Sequence, residues 1–75
     1  MNTEFDHLRQ VLGDNIRQRR RHQQLSQLHL AELAHTSAQT IWYIEHYQSN
    51  VSLKKISNIA YALKCSVVDL LKEDE

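Results

Sequence analysis

A chain of 75 residues with no proline and a single glycine has almost nothing with which to stop a helix or turn a hairpin. It also lacks a Val/Ile/Thr-rich alternating stretch and an Asn-Gly hairpin signal, so a sheet is not expected. The fold class that remains is all-α. A chain this short has room for one core, and 41% hydrophobic with 24% charged residues places it among ordinary globular domains rather than disordered chains.

Helix boundaries follow from periodicity and from capping residues. The first periodic run covers about Glu4 to Gln23, with Phe5, Leu8, Leu12 and Ile16 spaced to share one face. Gly13 interrupts it and marks a possible break, with the residues before it forming an arm or a short helix. Four serines then head four further runs, each able to accept a hydrogen bond from an otherwise orphaned amide of the first turn. Ser26 opens a second helix with Leu30, Leu33 and Ala34 on one side, ending near His35. Ser37 opens a third with Ile41 and Ile44 inward, Ser52 a fourth with Leu53, Ile56, Ile59, Ala60 and Leu63 inward, and Ser66 a fifth with Val67, Val68, Leu70 and Leu71. The expected organisation is an N-terminal arm or helix extension over 1–11, a five-helix domain over 12–72, its helices eight to twenty residues long, and an acidic tail over 73–75.

Two short helices joined by a turn of about three residues, with Ala31 where the backbones must cross closely, meet the requirements of a helix-turn-helix spanning Gln27 to Glu45. In that arrangement Ala38, Gln39, Trp42, Tyr43 and His46 lie on the outer face of the third helix, the face able to enter a major groove. Across Leu12 to Leu71 the segments LGDNIRQRRR, LSQLHLAELA, SAQTIWYIE, NVSLKKISNIAYAL and CSVVDLL resemble the Cro/repressor (XRE-type) helix-turn-helix family, especially the small controller proteins of restriction-modification systems. The resemblance implies a lambda-repressor-like five-helix fold and a sequence-specific transcriptional regulator acting on double-stranded DNA. It implies base readout by Ala38, Gln39 and Tyr43, to which the outer-face position adds Trp42. It implies that Gln27 bonds a backbone phosphate and buttresses the recognition helix, that Gln48, Ser49 and Asn50 grip phosphate, and that Arg20 and Glu45 form a structural ion pair. Ser37 and His46, at the two ends of the third helix, join the expected backbone contacts. Gln39 suits its role because a glutamine amide pairs bidentately with adenine N6 and N7.

The departures from the family pattern are specific. His35 replaces the usual turn glycine, Tyr47 stands where another glycine is common, and Val51 where proline is frequent. Formal charge is zero, and no Lys or Arg occurs between His22 and Lys54, so the presumed DNA face is uncharged. Three of the nine acids sit in Glu73-Asp74-Glu75, and without them six face nine basic residues, clustered at Arg17, Arg19, Arg20 and Arg21. Arg17, Arg19, Arg21 and the histidines are left to supply electrostatic grip, and dimerisation is the natural remedy for a weak monomer. Val67, Val68 and Leu71 cover more of the fifth helix than one inward stripe needs, which fits either a dimer interface or core packing alone.

Other function classes find little support. The five histidines lack metal-ligand spacing, no nucleophile-base set or glycine-rich phosphate loop appears, and neither a cofactor nor a small-molecule substrate is expected. Cys65 is the only cysteine and reads as a small buried hydrophobe. With no disulfide, no signal-peptide pattern and no apolar run of about 20 residues, the expected setting is the cytoplasm of a bacterium or a phage-infected cell, without membrane contact. A second reading stands beside the DNA one: Trp42 and Tyr43 as the docking face of an interaction module with a protein partner, antitoxin-like or inducer-binding.

Overall fold

The computed structural model describes residues 2–73 and holds five helices among them: α1 (Thr3–His22), α2 (Gln27–Leu33), α3 (Ala38–Glu45), α4 (Leu53–Ala62) and α5 (Val67–Leu70). Each of the four serines is the N-cap of its helix. The Oγ atoms of Ser26, Ser37, Ser52 and Ser66 accept from the amides of His29, Thr40, Lys55 and Asp69 at 2.9–3.1 Å. A serine cap contributes about 1 kcal/mol, which matters most for helices too short to persist alone. At α5 the cap is reciprocal, because the Ser66 amide donates back to the Asp69 carboxylate at 3.0 Å, and these bonds hold that carboxyl below its usual range. Asp74 and Glu75 of the expected tail lie outside the described residues, whereas Glu73 meets the His7 imidazole at 2.5 Å.

The helix C-termini share an unusual solution. The residue after each of the first four C-caps is left-handed: Gln24 at φ 60°, His35 at 57°, Tyr47 at 63° and Lys64 at 60°. In every case the next amide reaches back to close the last turn, Leu25 to Arg20, Thr36 to Ala31, Gln48 to Tyr43 and Cys65 to Ala60, at 2.9–3.0 Å. This is the double-bonded helix stop that glycine normally serves, built four times without glycine. Hydrogen bonds to the orphaned carbonyls offset the steric cost of a Cβ in that region.

The core is drawn from all five helices: Leu12 and Ile16, Leu30, Ala31 and Ala34, Ile41 and Ile44, Ile56, Ile59, Ala60 and Leu63, and Leu70. Side-chain amides on α1 and at its C-cap tie down later segments of the chain. Asn15 donates to the carbonyls of Leu70 and Lys72, each at 2.8 Å, and Gln23 to that of Leu63 at 2.6 Å.

Several expectations are corrected. The helix does not break at Gly13; α1 runs unbroken through it. A Cβ at Gly13 would stand 2.5 Å from the Ile44 carbonyl oxygen and 2.9–3.0 Å from the Tyr47 ring, so the glycine is there for the close approach of α3. Leu53 and Leu33 do not face inward: Leu53 is 80% exposed and Leu33 49% exposed, because Ile56 and Ala34 occupy the core positions of their helices. Phe5 and Leu8 continue the stripe of Leu12 and Ile16 beyond the end of the core and stay largely exposed. Two helices are shorter than eight residues, α2 with seven and α5 with four.

Two substitutions test this packing in opposite directions. Gly13→Ala gains about 1 kcal/mol of helix propensity but overpacks against a backbone oxygen that cannot swing aside, at about 1–3 kcal/mol, so denaturant unfolding is expected to show net destabilisation. Lys64→Gly, at an exposed left-handed position, is expected to stabilise by about 0.5 kcal/mol, the relief of left-handed strain exceeding glycine's extra chain entropy.

Candidate nucleic-acid interface

The third helix is held from behind by a buried charged network. Arg20 of α1 donates through Nε to Glu45 Oε2 at 2.7 Å and through Nη2 to Oε1 at 2.9 Å. Its third bond, from Nη1 at 2.8 Å, goes to the carbonyl of Leu25 between α1 and α2. Gln27, in the first turn of α2, donates its amide to Glu45 Oε1 at 3.3 Å. One carboxylate thus joins three elements, and its bond to Arg20 raises the guanidinium pKa further above its ordinary value. The Glu45 side chain is 1% exposed and that of Arg20 11%, so neither is positioned to serve as a surface contact.

A second clamp acts at the same end of α3. The Tyr47 ring lies on Gly13, and its hydroxyl donates to the Asp14 carboxylate, which holds the phenol above its ordinary pKa and also lies 3.6 Å from Arg17. Both clamps act on the inner side of α3. Its outer side is left with Gln39, Trp42, Tyr43 and His46, all exposed, and Ala38, half-buried.

The outer face is organised as a cluster of rings. The His46 imidazole stacks on Trp42 with centroids 3.8 Å apart and planes 15° from parallel, while Tyr43 meets Trp42 edge to face at 5.4 Å and 84°. Gln39 Nε2 lies 3.4 Å from the Tyr43 hydroxyl, at the long end of a hydrogen bond, so its amide is loosely held. The i, i+4 spacing of Trp42 and His46 places them one above the other on a helix, which permits the stack without specifying it. At the entry to α3, Ser37 Oγ serves the Thr40 amide and lies 2.9 Å from the Thr40 hydroxyl, which sequence reasoning had not singled out.

The remaining expected contacts are dispersed. Gln27 is half-buried, with its amide turned toward Glu45; Gln48 and Asn50 are exposed and Ser49 half-buried in the loop before α4. Val68 is 64% and Leu71 39% exposed, whereas Val67 packs partly against the core. Cys65 does so too, and burial pushes its thiol up. No group of three or more His, Cys, Asp or Glu residues able to hold a metal occurs among the described residues, and no helix described is long and apolar enough to cross a membrane.

The helix-turn-helix family profile matches residues 16–70, from the middle of α1 to the end of α5. Solved structures agree along most of the chain. A hypothetical transcription factor, NHTF, from Neisseria is 31% identical with a TM-score of 0.83, over 87% of this chain and 75% of its own. The restriction-modification controller protein C.AhdI from Aeromonas hydrophila is 32% identical with a TM-score of 0.80, over 83% of this chain and 94% of its own. The clp gene regulator ClgR from Corynebacterium glutamicum is 30% identical with a TM-score of 0.81, over 85% of this chain and 68% of its own. No curated protein sequence matches the chain. The fold is lambda-repressor-like.

The buried network gives a direct test. Arg20→Met strands the Glu45 carboxylate without its cationic partner and is expected to cost about 3–5 kcal/mol at neutral pH. The double variant Arg20→Met, Glu45→Met is expected to recover most of that loss in equilibrium unfolding. Additive single and double effects would show that the two side chains are not coupled.

Proposed function

The chain belongs to the helix-turn-helix family and is a DNA-binding regulator, and from that premise we propose that it reads a pseudo-palindromic operator as a homodimer, with α3 in the major groove. The observation that carries this reading is the division of α3 into two halves. Every charged or strongly bonded group on its inner side is engaged with α1 or α2, while Gln39, Trp42, Tyr43 and His46 are exposed on a helix held rigidly in place. A reader of base edges needs that combination, since discrimination is lost when the reading side chains can shift with their backbone.

In this reading Gln39 contacts adenine through its amide, and Ala38, Trp42 and Tyr43 supply apolar contacts to neighbouring bases, thymine methyls in particular. Gln27, Ser37, His46, Gln48, Ser49 and Asn50 contact phosphates and set the register. Gln27 then has two duties, its amide supporting Glu45 from behind while its position at the start of α2 faces the DNA backbone. Residues 12–72 form the DNA-binding unit. Two-fold pairing through Val68 and Leu71, with Val67 beside them, places two copies of α3 about one turn of DNA apart. The similarity to NHTF, C.AhdI and ClgR, described as a transcription factor, a controller protein and a gene regulator, supports control of transcription by occupancy near a promoter. The setting proposed is the cytoplasm of a bacterium or of a phage-infected cell.

The ring cluster favours one other reading, a protein dock on the same face, because packed surface aromatics are characteristic of interface centres. The two readings differ in salt dependence. Binding-site selection on random duplex DNA at low salt is expected to enrich a two-fold motif, with affinity falling as salt rises. Gln39→Ala is expected to fold normally, lose about 10-fold to 100-fold on the enriched duplex, and accept any base at one position of each half-site. Enrichment of no motif would overturn the DNA reading, and an unchanged motif in the variant would remove Gln39 from the readout.

A further inference from the structure

His46 sits where the recognition surface most lacks charge. Between Arg21 and Lys54 the sequence contains no Lys or Arg, so α2, α3 and the loop before α4 offer phosphates no permanent cation. The imidazole of His46 is exposed at the end of α3 and is held there in one orientation by two contacts. It stacks on Trp42 at 3.8 Å, and its Nδ1 lies 2.8 Å from the Trp42 carbonyl oxygen. A carbonyl oxygen only accepts, so Nδ1 carries a proton and Nε2 is the free nitrogen.

We propose that His46 is a proton-dependent phosphate ligand, so that this chain binds DNA more tightly as pH falls. The inference rests on the DNA reading above. Nε2 takes a proton from solvent, and the resulting N–H donates to a phosphate oxygen. Nδ1–H keeps its bond to Trp42, so the ring needs no reorientation. The cation is supported on one side by the indole face and along the helix axis by the negative end of α3. Neutral His46 presents only the lone pair of Nε2, which repels a phosphate.

The neighbouring charged groups do not pre-empt this role. No carboxylate lies within 4.0 Å of His46 among the described residues. Glu45, next in sequence, is turned inward onto Arg20 and Gln27. Across the α1 contact, Asp14 is engaged by the Tyr47 hydroxyl and faces Arg17. Tyr43, on the same helix, meets Trp42 rather than His46.

Anisotropy titrations of the full chain on the enriched duplex, and on mixed-sequence duplex, test the proposal between about pH 8 and pH 6. Wild-type affinity is expected to rise about tenfold per protomer on acidification, as one proton is taken up by each copy on binding, with the salt dependence steepening by about one phosphate contact per protomer. His46→Gln, which keeps a polar side chain without the titrating charge, is expected to lose that rise. His46→Lys is expected to bind with the tighter affinity at both pH values. Circular dichroism at each pH checks that all three proteins stay folded. If His46→Gln gains as much on acidification as wild type, other histidines such as His22 and His29 carry the effect and the proposal is overturned. If wild type binds no duplex at either pH, the DNA reading itself fails and takes this proposal with it.

Discussion

The buried pair of Arg20 and Glu45 is the constraint on which the placement of α3 depends. A helix of eight residues has too few internal hydrogen bonds to persist on its own, so both its existence and its direction are imposed from outside. Ile41 and Ile44 supply attraction to the core, but apolar packing alone tolerates small rotations of a helix about its axis. A bidentate guanidinium-carboxylate contact does not, because two parallel bonds fix angle as well as distance. The desolvation of both ions is expensive, and it is offset only because Leu25 and Gln27 add bonds to the same network. The network therefore contributes more to the register of α3 than to net stability.

Gly13, about two turns before Arg20 on α1, completes that placement. With Glu45 fixed by Arg20 and the Ile44 carbonyl pressed against the one residue of α1 that lacks a Cβ, α3 is gripped at two consecutive positions. Tyr47 then folds over Gly13 and bonds Asp14, which explains why a bulky aromatic occupies a left-handed position where glycine would be easier for the backbone. The strain at Tyr47 is exchanged for a contact that glycine could not make. At Gln24, His35 and Lys64 no comparable side-chain bond is present among the described residues, and the returning backbone amides offset the same conformation.

How much of this was legible in the sequence varied with the range of the interaction. Local chemistry was readable: the four serine caps placed the starts of α2 to α5, because capping acts within one turn. Contacts between distant segments were not. Gly13 read as a helix breaker because its partner, the Ile44 carbonyl, lies thirty-one residues away. Leu53 read as core because of its apolar side chain and spacing, yet Ile56 takes the core position of that turn. The hydrogen bonds from Asn15 to the carbonyls of Leu70 and Lys72 had no signal at all, since asparagine on a helix surface carries no indication of its target. For the recognition face, sequence spacing placed Gln39, Trp42, Tyr43 and His46 together, but not the stacking that turns three of them into one surface.

That surface has a consequence for selectivity if it reads DNA as proposed. Most protein affinity for random duplex comes from fixed cations on phosphates, which bind every sequence alike. A recognition unit without Lys or Arg gives up much of that affinity, and each molecule spends correspondingly less time on irrelevant sites. Base-edge and methyl contacts from Gln39, Trp42 and Tyr43 then make up a larger share of what binding remains, and that share distinguishes one sequence from another. A second copy multiplies the same contacts through a rigidly held α3, so selectivity grows with dimerisation faster than non-specific grip does. Low charge on this face is thus compatible with a sequence reader, provided that the helix carrying the reading side chains cannot move, and Arg20, Glu45 and Gly13 meet that condition.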